Sequence, residues 1–191
     1  MGAFSFRRCG EDLLQQFRTH KTKLLLTCVF TLAGVILGVT LFCISQYNWW
    51  YCNRYDYATK LLYGGFFAVL LSFLLAATVM TVLCCLFSAW RQTKFLCYLL
   101  AFVAALYFGA NLAAIFACVG FLGVLYGVFL LVLELAVNAL CCFWVVTDRG
   151  CNYTFKQTVL NCRPIIIVQF SAALIKLLLF FLLLRPISAL I

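Results

Sequence analysis

The run from Phe95 to Thr147 constrains the fold most, because its 53 residues include one charged side chain, Glu134. A bilayer core about 30 Å thick is crossed by roughly 20 apolar helical residues, so this run is too long for one span and suits two. Backbone groups in lipid must find hydrogen-bond partners within the chain, and long continuous apolar runs do so as helices. The sequence therefore predicts an all-α integral membrane protein.

Charged positions divide the remaining sequence into further apolar runs, and the long run is split near Gly120 and Gly123. The predicted spans are residues 24–47, 61–90, 95–119, 122–147 and 164–185. With 67% apolar and 10% charged residues, the chain lacks the polar surface that a water-soluble protein needs. We expect residues 1–191 to form one membrane domain, a bundle of about five transmembrane helices with short loops.

Basic residues are distributed unequally between the predicted loops, and loops rich in lysine and arginine tend to stay on the inner side of a membrane. An odd number of spans places ten of them inside: Arg7, Arg8, Arg18, Lys21, Lys23, Arg91, Lys94, Arg149, Lys156 and Arg163. Only Arg54, Lys60 and Arg185 remain outside. This predicts an N-terminus on the cytoplasmic or matrix side and a C-terminus on the opposite side. The inner basic charge fits contact with anionic lipids and not with nucleic acid.

The segment 1–23 is basic and precedes the first predicted span. From Gly10 to Lys23 the acidic residues come first and the basic residues last, an order that suits a helix dipole. Leu13, Leu14 and Phe17 share one face, so we expect an amphipathic helix on the inner membrane surface. A mitochondrial presequence is the alternative, but Glu11 and Asp12 argue against it.

Twelve cysteines occur in the chain, and most lie in predicted spans or on the inner side, where disulfides are not implied. Five lie near the inner interface, where reversible palmitoylation occurs: Cys9, Cys84, Cys85, Cys141 and Cys142. The favoured alternative is that they pack as small apolar residues. The sequence has no CxxC pair and one histidine, His20, so we expect no metal site and no cofactor.

Stripes of small residues mark the helix faces that allow close packing in a membrane. The third predicted span carries an unbroken ridge at every fourth position: Ala101, Ala105, Gly109, Ala113 and Ala117. Two GxxxG matches lie in the first and fourth spans: Gly34 with Gly38, and Gly123 with Gly127. We expect these faces to pack mainly within the chain, with a dedicated dimer face as the alternative.

Glu134 and Lys176 are ionisable residues placed deep in the bilayer, where a charge is costly without a partner or a purpose. Each lies roughly 18–20 Å from the inner end of its span, at 1.5 Å per residue. Sequential antiparallel spans tend to be neighbours, so the sequence predicts an ion pair between them. Asn138, one turn from Glu134, and Asn111 in the third span are the expected polar neighbours.

Two roles are open for this pair. A bridge that fixes the register of two helices is favoured, and a proton or ion relay through Glu134 is the alternative. Helices broken at midplane by glycine or proline are typical of transporters, but Pro164 and Pro186 lie at helix ends. The sequence also lacks the residue sets of nucleophilic, metal-dependent and phosphate-loop enzymes, so we expect no catalytic residue.

The sequence alone favours a non-catalytic accessory or structural subunit of a larger membrane complex, with other protein subunits and the lipid bilayer as partners. One alternative is a small transporter or channel component that uses Glu134 and Lys176. Another is a lipid-organising membrane protein with palmitoylated cysteines.

Overall fold

The computed structural model describes residues 15–45, 49–120, 130, 132–147 and 155–184. The helices of this part are labelled in chain order: α1 (Lys21–Ile44), α2 (Trp49–Tyr63), α3 (Phe66–Ala89), α4 (Leu96–Val119), α5 (Val132–Thr147), α6 (Phe155–Asn161) and α7 (Arg163–Leu179). A 3₁₀ turn, Arg91–Thr93, joins α3 to α4, and a π-helical turn, Phe180–Leu184, continues α7. Across these ranges every regular element is helical, so the predicted all-α class is confirmed.

Four of the described helices, α1, α3, α4 and α7 with its continuation, are long and apolar enough to cross a bilayer. The sequence predicts about five spans, and the difference lies in α5. This helix is apolar, but its described part has 16 residues, fewer than a full crossing requires. The first part of the predicted fourth span, including Gly123 and Gly127, lies outside the described residues.

The predicted second span begins at residue 61, whereas the structure begins α3 at Phe66. Residues 61–63 belong to α2 instead, because Gly64 and Gly65 interrupt the helix between them. Within α2 an ion pair between Lys60 Nζ and Asp56 Oδ2, at 2.6 Å, joins residues one turn apart. The region predicted as a short outer loop is therefore mostly a helix.

The closest packing in the bundle joins α1 to α4, which run in the same direction. A Cβ atom at Gly38 would collide with the Leu106 carbonyl oxygen, and one at Gly109 with the Val35 carbonyl oxygen. One at Gly34 would lie 2.8 Å from the Ala105 Cβ atom. Only glycine permits this approach of two backbones, and the first GxxxG match is used within the chain.

The alanine ridge of α4 enters this interface along only part of its length. Ala101, Ala105 and Gly109 are buried, Ala113 is partly buried and Ala117 is exposed. The predicted ridge is thus covered at its N-terminal end and open at its C-terminal end. α4 then ends at Val119, as predicted, and Gly120 follows with φ +64°.

The C-terminal end of α5 is covered by the helical turn at residues 15–19. The Phe17 ring stacks on Phe143 with centroids 5.0 Å apart, and the Thr147 hydroxyl donates to Gln16 Oε1 at 2.9 Å. Lys23 Nζ donates to the Val146 carbonyl at 2.9 Å, near the C-terminus of α5. Residues 1–14 of the predicted surface helix, with Cys9, lie outside the described residues. In the described part, Phe17 packs on protein where the sequence predicts lipid.

Candidate site: an interhelical charge pair and its polar neighbours

The structure brings Glu134 and Lys176 together between α5 and α7. Lys176 Nζ donates to Glu134 Oε2 at 3.0 Å, and the two helices run antiparallel. The Lys176 side chain is 5% exposed and the Glu134 side chain 29% exposed. The ammonium group is therefore the more completely enclosed partner, and the carboxylate keeps an open side.

A third helix completes the surroundings of the ammonium group. Lys176 Nζ lies 4.8 Å from the centroid of the Phe73 ring, which is buried on α3. The negative face of an aromatic ring attracts a cation, and the attraction grows when water is excluded. The charge of Lys176 is thus met by an anion on α5 and by a ring on α3, and one side chain ties three helices together.

A second polar contact joins α5 to α7 one turn nearer to the C-terminus of α5. Gln169 Nε2 donates to Asn138 Oδ1 at 2.9 Å and approaches Cys141 Sγ at 3.5 Å. Asn138 was predicted as a polar neighbour of the charge pair, but Gln169 was not. Gln169 lies seven residues before Lys176, a spacing that places both side chains on one face of α7. This spacing is the sequence signal that could have identified Gln169.

Asn111 does not join the charge pair as predicted. Its Oδ1 atom lies 3.4 Å from Arg54 Nη1, which reaches α4 from α2. The Arg54 guanidinium also lies 4.9 Å from the Tyr107 ring centroid. Residue 54 was expected in an outer loop, where an arginine would face water. Folding of residues 49–63 into a helix turns this side chain toward α4 instead.

Tyr57 links these two groups of residues. It lies on α2, one turn after Arg54, and its pKa is raised above the ordinary value of 10.0. Burial of the hydroxyl is the largest cause, the Glu134 carboxylate adds to it, and the Arg54 guanidinium opposes it. The neutral phenol therefore lies within electrostatic reach of both Glu134 and Arg54.

The predicted acylation positions are mostly inaccessible in the folded chain. Cys84, Cys141 and Cys142 are at most 1% exposed, and Cys85 is half-buried. A palmitoyl chain must leave the protein for the lipid, so burial of the first three thiols argues against their acylation. They pack instead in an apolar cluster formed by α3, α4, α5 and the start of α7.

A cavity of about 220 Å³ lies beside this cluster, where α3, α5 and the junction of α6 and α7 meet. Its lining combines polar and apolar side chains: Gln16, Ser88, Trp144, Val145, Asn161, Cys162 and Ile165. Among the residues that the structure describes, no group of three or more histidine, cysteine or acidic side chains is arranged to hold a metal ion.

Comparison of the chain with protein-family models, with curated proteins and with solved structures finds no match.

Proposed function

We propose that the chain is a non-catalytic, multi-pass membrane protein that serves as an accessory subunit of a larger membrane assembly. The observation that carries this proposal is the enclosure of Lys176 between the Glu134 carboxylate and the Phe73 ring. A charge that has fixed partners on two other helices prevents the three helices from sliding along one another. A relay group must instead exchange partners and reach water. The enclosure therefore supports a structural role for the pair.

A partner subunit needs a surface that the chain does not use for its own packing. The open end of the alanine ridge at Ala117 on α4 offers small side chains for close helix contact. The outward faces of α1 and α3 offer large apolar side chains, including Leu32 and Phe67. We propose that other subunits contact the ridge end and that lipid covers much of the rest, with anionic lipids at the basic inner side.

We further propose five alternating crossings, with the described helix α5 as part of the fourth. Three pairs of contacts support the directions of the helices. α1 and α4 run parallel, as first and third spans should, because Gly34 and Gly38 meet successive turns of α4. α7 runs antiparallel to α3, since Lys176 contacts Phe73 and Cys162 contacts Ser88. It also runs antiparallel to α5, where Lys176 contacts Glu134.

The accessory-subunit proposal is tested by isolating the protein from its native membrane in a mild detergent and measuring the bound proteins by quantitative mass spectrometry. A partner at constant stoichiometry that also retains this chain when the partner itself is tagged would support the proposal. An Ala117→Leu variant should lose that partner, and the matched variant Leu32→Ala on α1 should keep it. A lone monomer or homo-oligomer would overturn the proposal.

A transporter or channel component is the second candidate, and the open side of Glu134 favours it. A carboxylate that is 29% exposed has an open side from which it can exchange a proton with water, and Tyr57 lies within its electrostatic reach. Flux measured in proteoliposomes separates the two candidates. If the chain is a transporter that uses Glu134, the native chain should show flux and the Glu134→Gln variant should show none. If the ion pair is only structural, the native chain itself should show no flux.

Orientation is tested with the exposed thiol of Cys52 on α2, which we place on the outer side. A membrane-impermeant maleimide added to sealed cells or organelles should label Cys52 and spare the Cys52→Ser control. Labelling of Cys52 only after the membrane is opened would reverse the proposed orientation.

A further inference from the structure

Six cysteines from four parts of the chain converge at the inner half of the bundle, and the proposed function uses none of them. They are Cys84, Cys85, Cys97, Cys141, Cys142 and Cys162, all members of one side-chain cluster or packed against it. A set of thiols is more than an apolar core requires, since alanine or valine packs as well and carries no redox chemistry.

Two pairs of thiols within this cluster are electrostatic neighbours: Cys85 with Cys162, and Cys84 with Cys142. Cys162 has a further neighbour, because the Ser88 hydroxyl oxygen lies 3.3 Å from its sulfur. Cys85 and Ser88 are three residues apart on α3, so both face the junction between α6 and α7 where Cys162 lies.

The cavity distinguishes one pair from the other. Its wall includes Cys162 and Ser88 but neither Cys84 nor Cys142. Its volume of about 220 Å³ exceeds several times the roughly 30 Å³ that one water molecule occupies. The amides of Gln16 and Asn161 contribute polar groups to the lining. A small polar molecule can therefore reach the Cys162 sulfur.

We propose that Cys85 and Cys162 form a redox site that hydrogen peroxide converts to a disulfide, joining α3 to the α6–α7 junction. The Cys162 thiolate attacks one peroxide oxygen, the O–O bond breaks, and the hydroxide that leaves takes up the thiol proton as water. The Cys85 sulfur then attacks the Cys162 sulfenic acid, the S–O bond breaks, and the second water leaves with the Cys85 proton. Two thiols and one peroxide yield one disulfide and two waters.

Ser88 acts as a positioning residue in this reaction. Its hydroxyl oxygen lies 3.1 Å from the Cys85 carbonyl oxygen, to which it donates, and 3.3 Å from the Cys162 sulfur. The hydroxyl can turn its proton from the carbonyl to the sulfur as negative charge forms there, in surroundings that otherwise disfavour a thiolate. The disulfide, once formed, holds the inner end of α3 against the start of α7. Reduction by a thiol returns the two cysteines, so the site is reversible.

The experiment exposes the full-length protein in proteoliposomes to dilute hydrogen peroxide, blocks free thiols with N-ethylmaleimide at intervals, and identifies cross-linked peptides by mass spectrometry. We expect a Cys85–Cys162 peptide, lighter by two hydrogen atoms and restored by dithiothreitol, to form before any other oxidised cysteine. The Ser88→Ala variant should form it about tenfold more slowly, the change expected for loss of one hydrogen bond worth about 1.4 kcal/mol.

The buried pair of Cys84 and Cys142 is the matched control, since both thiols belong to the same cluster but do not line the cavity. A Cys84→Ser variant should leave the rate at Cys85 and Cys162 unchanged, and a Cys162→Ser variant should abolish the cross-link. The order of oxidation in the native chain needs no variant to fold. Oxidation of Cys84 and Cys142 first, or sulfinic acid at Cys162 without a cross-link, would overturn the proposal.

Discussion

Gln169 on α7 donates a hydrogen bond to Asn138 on α5 at 2.9 Å, in the same helix interface that holds the ion pair of Glu134 and Lys176. Both amide side chains are buried. The interface therefore has a neutral contact and an ionic one, spaced along two antiparallel helices. Such a pair of contacts permits one register, because a shift of α7 by one turn would separate both.

The neutral contact should contribute modestly to stability. We expect Gln169→Leu to lower the free energy of unfolding by about 1 kcal/mol, since interhelical hydrogen bonds in membranes average about 0.6 kcal/mol and an unpaired Asn138 adds to the loss. The free energy is measured by unfolding with dodecyl sulfate in mixed micelles. The double variant Gln169→Leu with Asn138→Leu should be more stable than Gln169→Leu alone, and an additive loss would contradict the contact.

The ion pair should respond unequally to removal of its two members. Glu134→Gln leaves the enclosed ammonium group without its anion and should cost about 3 kcal/mol. Lys176→Met should cost less, because the carboxylate that remains is partly exposed and can meet water. The measurement is the same unfolding titration, at one pH and one ionic strength.

The double variant Glu134→Gln with Lys176→Met supplies the control for this asymmetry. It removes both charges together and should recover most of the loss of Glu134→Gln, because buried pairs often add little net stability over neutral side chains. Equal losses for the two single variants, or no recovery in the double variant, would show that the charges do not act as a pair.

Several parts of this arrangement could be predicted from the sequence. The all-α class follows from the apolar runs, and the partners Glu134 and Lys176 follow from their matched depth on sequential spans. Both inferences need only helix geometry and the thickness of a bilayer. The end of α4 at Val119 was also predictable, because a glycine follows at a position with positive φ.

Other parts could not be predicted, because they depend on how helices face one another. The run 49–63 mixes aromatic and polar residues and has no long apolar stretch. The sequence therefore predicts a loop here, followed by the start of the second span at residue 61. The contact between Arg54 and Asn111 follows from the formation of helix α2. No spacing along the sequence indicates it, because the two residues are 57 positions apart. Gln169 is not predicted as part of the site, because an uncharged amide is common in membrane-spanning helices and does not by itself indicate a partner.

The parallel packing of α1 on α4 should depend on its glycines. Gly38→Val would place side-chain atoms against the Leu106 carbonyl and should destabilise the fold by about 2 kcal/mol, the usual cost of overpacking. Gly65→Ala is the matched control, because a Cβ atom there meets no atom within 4 Å. Thermal unfolding in detergent should show a clear drop for the first variant and a change within about 0.5 kcal/mol for the second. Similar behaviour of both would contradict the packing.

Stability should fall at alkaline pH through Tyr57. Its pKa is raised in the folded chain, so the folded state keeps the phenol proton above pH 10.0 while the unfolded state releases it. This contribution is complete below pH 10.0 and is lost as the pH rises above that value. Above pH 10.0 the free energy of unfolding of the native chain should therefore fall relative to that of Tyr57→Phe. In a Glu134→Gln background the shift should be smaller, because the carboxylate adds to the raised pKa.

Docking of α2 on α4 should depend on Arg54, whose guanidinium lies against Tyr107 and beside Asn111. A nearby thiol reports on this docking, because Cys118 on α4 is half-buried and has Tyr55 on α2 as a neighbour. Arg54→Met removes a cation–π contact and a hydrogen bond, together about 1.4 kcal/mol, so the undocked fraction should rise about tenfold. The rate of maleimide labelling at Cys118 should rise by the same factor.

Cys52 is the internal control for that measurement, since its thiol on α2 is already exposed and should react equally fast in both proteins. Arg54→Lys should fall between the native chain and Arg54→Met, because lysine keeps the cation but not the planar group that stacks on a ring. An unchanged rate at Cys118 in Arg54→Met would mean that α2 is held by its apolar contacts, including stacking of Tyr51 on Phe42 at 4.7 Å. In that outcome Tyr51→Ala, and not Arg54→Met, would release the helix.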